Sequence, residues 1–416
     1  MRPAGKIAPL GWMVDGPACA VLAALGAGGA PARFVGGCVR DAILGRPVKD
    51  IDIATPEPPQ RVMQLLQGAG IRAVPTGIDH GTVTAVLDGA HFEITTLRHD
   101  VETFGRHARV SFTDDWAADA SRRDFTINAL FCDADGTIFD PAGGLADLKA
   151  GRVRFVGDAS ERIREDVLRL LRFFRFHAFY GTPPPDAEAL AACRARAPGL
   201  ARLSAERVWS ELRRILLAPD PAAILALMAD HRVLGHVLGE ATRLDRLAAL
   251  VRIEEACGRA GDAILHLAAV MDVDGAAAAT LARRLRMANA ETRRLVALAA
   301  PATRLTPALD GRARRVALYR LGGALFADLA LLGWADSAAG ADAPAWRALA
   351  AAADGWTPVS LPVAGRDAVA LGVPRGPEVG RLLGEVEDWW VAQDFAPDRA
   401  ACLAKLKELA RGVRGG

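Results

Sequence analysis

Two aspartates spaced i, i+2, Asp50 and Asp52, lie shortly after a Gly36-Gly37 pair and Arg40 in the stretch Phe34 to Thr55, FVGGCVRDAILGRPVKDIDIAT. In an extended chain such carboxylates point to one face and stand about 6.6 Å apart at their Cα atoms. That spacing lets both grip hard cations, and two-metal sites hold their ions about 3.5–4 Å apart. Paired glycines can take positive φ and let a ligand approach bare backbone. A guanidinium beside them can fork onto phosphate oxygens. Magnesium with a nucleoside triphosphate is the natural occupant. Alone, a Gly-Gly is most often a turn and an Asp-x-Asp a solvated strand edge, so the reading rests on finding them together.

Several elements must position these groups. Phe34 and Val35 read as a strand running into the glycine turn. Cys38 to Leu44 reads as a short helix whose free N–H groups face that turn, with Gly45 and Pro47 ending it. Val48 to Ala54 alternates as a strand, with Ile51 and Ile53 opposite the two aspartates. Pro56 to Gly70 reads as a helix with Val62, Leu65 and Leu66 on its apolar face. Gly81 to Leu87 and His91 to Leu97 form two strands joined by Asp88-Gly89, a strong hairpin signal. Glu93 then faces away from Phe92 and Ile94, and is either a third carboxylate beside Asp50 and Asp52 or a strand-edge glutamate facing water. Asp100 to Ala120 is polar and charged, and is expected to be a loop. Asp133 to Asp140 reads as a closing hairpin around Asp135-Gly136.

Two further stretches carry polar groups at suggestive spacings. Arg122 to Leu130, RRDFTINAL, places an acceptor beside two forked donors, which suits a helix start or a ribose and a triphosphate. Ser160 to Ala178, SERIREDVLRLLRFFRFHA, is expected to be one helix capped by Ser160, with Ile163, Val167, Leu168, Leu171 and Phe174 on a broad apolar face. On that helix Asp166 and Arg169 are neighbours. Cytosine and adenine each present an amino donor beside a ring-nitrogen acceptor, so an aspartate and an arginine can pair with both. Guanine and uracil present a donor at that ring nitrogen beside a carbonyl, and leave polar groups unpaired at roughly 1–3 kcal/mol each. The plainer reading is a surface ion pair. Arg172 and Arg175 continue the spacing of three, but each step falls about 60° short of a turn, so Arg175 should face away from Asp166 unless the helix bends.

Taken together, GGCVRDAILGRPVKDIDIAT, RRDFTINAL and Glu165-Asp166-Val167-Leu168-Arg169 resemble the motifs of the DNA polymerase β-type nucleotidyltransferases, in the group holding CCA-adding enzymes and bacterial poly(A) polymerases. The resemblance implies an α+β fold: a polymerase β-like head, residues 1–148, then a helical neck, 149–218, that reads the base, and a helical body and tail, 219–416, that bind tRNA. It further implies that Asp50 and Asp52 hold Mg2+, with Glu93 a candidate catalytic carboxylate. Gly36, Gly37, Arg40, Arg123 and Asp124 would hold phosphates and sugar, while Asp166, Arg169, Arg172 and Arg175 would face the nucleotide. The implied activity is addition of CCA to the tRNA 3′ end from CTP and ATP. Residues 102–120 resemble the family's flexible loop, and Ser204 to Arg207, read with a Ser204 cap, its last motif, a structural clasp. Within the same family the alternatives are a poly(A) polymerase or a partial CC- or A-adding enzyme; outside it, an RNA-binding protein without catalysis.

Composition agrees with this outline. The 416 residues are 51% hydrophobic and 24% charged with a net charge of +2, so an RNA surface must come from local arginine clusters. Clusters occur at Arg283, Arg284, Arg286, Arg293 and Arg294, and Arg366 and Arg375 flank a Gly/Pro turn. Cys19, Cys38, Cys132, Cys193, Cys257 and Cys402 are scattered, without metal spacing, as expected of reduced thiols. Gly16 to Ala32 is too weakly apolar for a membrane segment and reads as an amphipathic helix. A soluble, cytoplasmic protein is expected. From Asp220 onward the helical period recurs throughout, and Trp389 and Trp390 read as core.

Overall fold

The computed structural model describes residues 1–104, 107–239, 242–337 and 343–414. The chain divides into two compact units, Met1–Thr242 with Arg284–Arg286, and Arg243–Arg283 with Met287–Gly416. The expected head and neck both fall within the first unit.

The first unit is built on a mixed sheet. Its strands are β1 (Gly5–Lys6), β2 (Arg33–Val35), β3 (Ile51–Thr55), β4 (Arg72–Gly77), β5 (Thr82–Leu87), β6 (Ala90–Thr96), β9 (Phe131–Cys132) and β10 (Thr137–Phe139), in the order β1-β10-β9-β2-β3-β6-β5-β4. Among the described strands only β3 with β6 pairs in parallel, and that pairing aligns Asp52 directly with Glu93. The Asp88-Gly89 turn has φ of 51° and 78°, the left-handed pair that a tight hairpin with the twist of the flanking strands requires. Alternation buries Phe92 and Ile94 and leaves Glu93 exposed. The sequence reading did not anticipate β4 or β1.

Three expectations are corrected here. Strand pairing to β6 starts at Ile51, so the expected strand from Val48 is shorter and Asp50 sits just before it. Asp100 to Ala120 is not a loop: β7 (Arg98–Phe104) and β8 (His107–Phe112) form a separate two-stranded sheet, whose backbone pairing satisfies the polar segment. A helix, Trp116–Ser121, follows, capped by Asp115. The tip of this hairpin, residues 105–106, and the side chains of 100–110, including His107 and Arg109, lie outside the described residues.

The third correction concerns the neck. Helices of the first unit that bear on the site are α1 (Gly37–Ile43), α2 (Trp116–Ser121), α3 (Ala159–Glu165), α4 (Leu168–Tyr180) and α5 (Ala205–Leu216). The single helix expected over 160–178 is two, broken at Asp166, whose backbone is extended at φ −145°, ψ 105°. Asp166 caps the second piece through its Oδ1, which accepts the Leu168 N–H at 3.1 Å. The cap of α3 is Asp158, which accepts the Glu161 N–H at 2.8 Å, while the Ser160 hydroxyl is taken by Arg196. Ser204 does occupy the cap position of α5, but its hydroxyl makes no capping bond. α4 buries Leu170, Leu171, Phe173 and Phe174.

The second unit is helical throughout its described residues, from Leu244–Ala256 to Arg399–Arg414. Its tail end packs Leu382, Val386, Cys402 and Leu406 around Trp390, whose indole N–H donates to Pro397 O at 3.0 Å; Trp389 packs against the same cluster. Both tryptophans therefore serve the core. Arg294 bridges Asp262 and Asp328 within this unit. Among the described residues no single helix is long and apolar enough to cross a bilayer. All six cysteines are free.

Candidate active site

The glycine turn is conformationally specified. Gly36 lies at φ 74°, ψ −123°, a region closed to side chains, and its N–H donates to Leu130 O at 3.0 Å. The turn is thus sewn to the backbone just after the 3-10 turn Thr126–Asn128 that ends the RRDFTIN stretch. α1, with seven residues, is too short for its dipole to dominate, so charged side chains carry the electrostatics.

A cavity of about 470 Å³ opens beside this turn. Its wall combines Gly36, Gly37, Arg40 and Asp52 from the sheet side with Arg122, Arg123, Asp124 and Asn128, and with Asp166, Arg169, Arg172 and Phe176 from α4 and its entrance. Nine of the residues named from the sequence meet there. The other three do not: Asp50 lines an adjoining cavity, and Glu93 and Arg175 line neither. Arg175 donates from Nε to the buried Glu211 on α5 at 2.6 Å and lies over the Phe176 ring. The expectation from helical geometry, that Arg175 faces away from Asp166, describes its position; the break at Asp166 lies ahead of it and does not redirect it.

Asp52 is half-buried and electrostatically stressed. Burial, then the charges of Glu93 and Asp50, push its carboxyl up to about 6 against the opposing pull of Arg123. A site that raises a carboxyl in this way holds oxygen donors whose repulsion a divalent cation would relieve. Among the described residues no three acidic, His or Cys side chains converge into a closed cage. The donor set therefore fits an ion that keeps water or substrate phosphates as further ligands, as magnesium does.

The arginines around the cavity are all held by carboxylates. Asp119, fully buried on α2, accepts from Arg122 at 2.6 Å and from Arg123 at 2.9 Å. Burial opposes its ionisation, but the two guanidiniums outweigh that and hold it below the usual carboxylate range. Asp124 is likewise held low: burial opposes ionisation, and Arg172 and the Asn128 amide overcome it. Arg172 donates to Asp124 from Nε at 2.8 Å. Arg169 pairs with Glu165 at 2.6 Å, and Arg40 with Asp41 at 2.9 Å. Arg207 on α5 donates to Asp166 Oδ2 at 2.6 Å and itself lines the cavity.

Asp119, Asn128 and Arg207 are cavity or supporting residues that the sequence reading did not place in the site. Arg207 stood in the motif read as a structural clasp, and its spacing from Asp166 carries no local signal. Asn128 stood inside RRDFTINAL; it links Arg40, whose Nη1 donates to its Oδ1 at 2.6 Å, to Asp124, which accepts from its Nδ2 at 3.1 Å.

A sheet that aligns acidic residues beside a glycine turn, facing arginines on a helix that starts at a break, has the layout of a nucleotidyltransferase-type head and neck. Residues 32–154 match the family described as Poly A polymerase head domain, and residues 185–244 the one described as probable RNA and SrmB-binding site of polymerase A. The chain is 48% identical to mouse mitochondrial CCA tRNA nucleotidyltransferase 1 over 49% of its own length and 48% of that protein's. It is 44% identical to the CCA-adding enzyme of a Streptococcus pyogenes strain over 46% and 47% respectively. The chain spans about half the length of these relatives. The solved CCA-adding enzyme of Bacillus stearothermophilus in complex with CTP superimposes with a TM-score of 0.71 at 28% identity, over 95% of this chain and 97% of that one. The Thermotoga maritima enzyme complexed with tRNA, at 20% identity and a TM-score of 0.65, shares the fold. Residues 32–154 thus match a Poly A polymerase head domain, and over nearly its whole length the chain is similar to a solved CCA-adding enzyme.

Proposed function

We propose that this protein adds CCA, without a template, to the 3′ end of tRNA, using CTP and ATP and releasing pyrophosphate. The observation that carries the reading is that Asp166 and Arg169 share one cavity with Gly37, Arg40 and Asp52. A base-reading pair and a phosphate-and-carboxylate site thus open onto the same space.

The base-reading pair has capacity for its role. Asp166 spends one lone pair of each oxygen on Leu168 N–H and Arg207, and keeps one on each. Arg169 spends three of its five N–H donors, on Arg162 O, Glu165 and Arg122 O, and keeps two. Asp166 then accepts the exocyclic amino group of cytosine or adenine and Arg169 donates to the ring nitrogen. Arg123, within reach of Gly36, holds phosphate, and Asp124 with Arg172 borders the sugar. Glu93, aligned with Asp52, adds negative charge that raises the Asp52 carboxyl and so favours a cation beside it.

Asp50 and Asp52 would hold Mg2+; when bound, it stabilises charge on the attacking and leaving oxygens. The RNA 3′ hydroxyl loses its proton to solvent, its oxygen bonds to the α-phosphorus as the bond to the bridging oxygen breaks, and pyrophosphate leaves with the electron pair. The head and neck residues orient the triphosphate for this in-line exchange. The body and tail, 219–416, would hold tRNA, and the cytoplasm is the proposed compartment.

The test is an extension assay with tRNA ending at the discriminator base, magnesium, and CTP and ATP singly and together. The expected product is CCA, with CTP alone stopping at two additions. A long adenosine ladder would assign poly(A) polymerase activity, and an A added only to a CC end a partial enzyme. Absence of product would leave an RNA-binding protein.

A further inference from the structure

The nucleotide cavity has two halves on different elements. The base-reading pair, Asp166 and Arg169, stands at the start of α4, while the glycine turn and Arg40 belong to α1 of the head. A nucleoside triphosphate that reaches both needs them at one spacing, since a displacement of about 1 Å between reacting groups can slow a reaction on the order of a hundredfold. Bonds that cross from neck to head set that spacing.

At the start of α4 these bonds land close together. Arg162 donates to Ser121 O at 3.1 Å, Arg169 to Arg122 O at 3.2 Å, and Arg172 to Asp124 Oδ2 at 2.8 Å. A helix tied at one end can still swing about it. The other end of α4 is Tyr180, about 18 Å from Leu168 along the axis. Its hydroxyl accepts from Arg40 Nη2 at 2.7 Å and donates to Asp41 Oδ1 at 3.0 Å, and both partners lie on α1. Its ring carries the Arg40 guanidinium at 4.0 Å and that of Arg46 at 4.6 Å.

Arg40 is buried, and four of its five N–H donors are committed: Nε and Nη2 to Asp41, Nη2 again to the Tyr180 hydroxyl, and Nη1 to Asn128. One N–H remains for a ligand, too few for the fork that a phosphate takes. Arg40 is thus a joint between neck and head. Tyr180 stands behind it and does not line the nucleotide cavity.

We propose that Tyr180 is a positioning residue for nucleotide transfer: it ties the far end of α4 to α1, and so fixes the distance between the base-reading half of the cavity and the phosphate half. This rests on the function proposed above. Tyr180→Phe isolates the effect, because the ring stays against both guanidiniums and Arg40 stays held by Asp41 and Asn128. Only the two hydroxyl bonds are lost.

Titration calorimetry on the full chain, with magnesium and without RNA, compares CTP and ATP, which span both halves, with inorganic tripolyphosphate, which meets the phosphate half alone. Tyr180→Phe should weaken CTP and ATP about tenfold each, the worth of hydrogen bonds to charged groups, and leave tripolyphosphate unchanged. Equal weakening of tripolyphosphate overturns the proposal, because Tyr180 would then serve the phosphate side or general stability. Unchanged CTP and ATP affinity overturns it as well. With tRNA present, KM for CTP and ATP should rise by one common factor, since Asp166 and Arg169 are untouched; a rise confined to one nucleotide would overturn the proposal and place Tyr180 in base choice. No CTP binding by the wild type would remove the function proposed above and this inference together, whereas wild-type binding that the variant retains in full removes this inference alone.

Discussion

Arg207 on α5 holds the carboxylate of Asp166 at 2.6 Å, across 41 residues of sequence, at the break between α3 and α4. That bond turns a flexible acceptor into a fixed one, because the second oxygen is already committed to the Leu168 N–H. If Asp166 reads the base, its replacement by alanine should relax nucleotide choice, raising GTP and UTP use relative to CTP and ATP by roughly ten- to a hundredfold, the worth of an unpaired polar group. Arg207→Met should relax choice in the same direction by less. Steady-state kcat/KM for the four nucleotides measures both; unchanged ratios in Asp166→Ala would remove the template.

Asp52→Asn and Asp50→Asn should each abolish nucleotide transfer while leaving the fold intact. In the metal-free protein Asp52 is strained by its acidic neighbours, so Asp52→Asn should melt no lower than the wild type. Extension assays beside thermal melts decide this. Transfer that survived either change would exclude that carboxylate from the chemistry. Chelating divalent ions should stop extension as completely as the substitutions do.

Asp119→Asn should destabilise the protein by about 3–5 kcal/mol, since it leaves the guanidiniums of Arg122 and Arg123 without their buried counter-charge. The folded-state carboxyl is held below its ordinary value, so its contribution is fully present above about pH 4 and fades as pH falls through the folded value. Melting curves between neutral and acid pH should therefore show the wild type and Asp119→Asn converging at the acid end. A constant gap would mean that Asp119 acts through packing alone. Loosening Arg123 should also raise KM for both CTP and ATP.

Gly144→Ala should cost stability on the order of 2–5 kcal/mol, because a Cβ there would stand 2.0 Å from Thr126 O. The clash falls on the backbone of the turn that carries Asn128, so nucleotide affinity should fall with the melting temperature. Chemical denaturation and nucleotide titration would check the pair of effects; a neutral variant would show that this turn can shift freely.

What the sequence by itself determined is local. The Gly36-Gly37 turn, the Asp88-Gly89 hairpin and the alternation that buries Phe92 and exposes Glu93 all follow from backbone preferences and side-chain period, which act over a few residues. Nine residues of one cavity could be named because each stands in a short stretch whose types already suit a nucleotide. Tertiary structure decided the rest. Whether Asp50 shares a wall with Asp52 depends on where pairing to β6 begins, and the Asp166 break depends on a cap completed by Arg207. Arg175 is diverted to Glu211, and Arg122 and Arg123 are oriented by Asp119 near the end of a helix inside a stretch read as loop. These are ion pairs whose geometry is set by how elements pack, and no spacing along the chain encodes them. The hold of Tyr180 on the head belongs to the same class: Arg46 and Tyr180 are far apart in the sequence, and only the fold stacks one on the other.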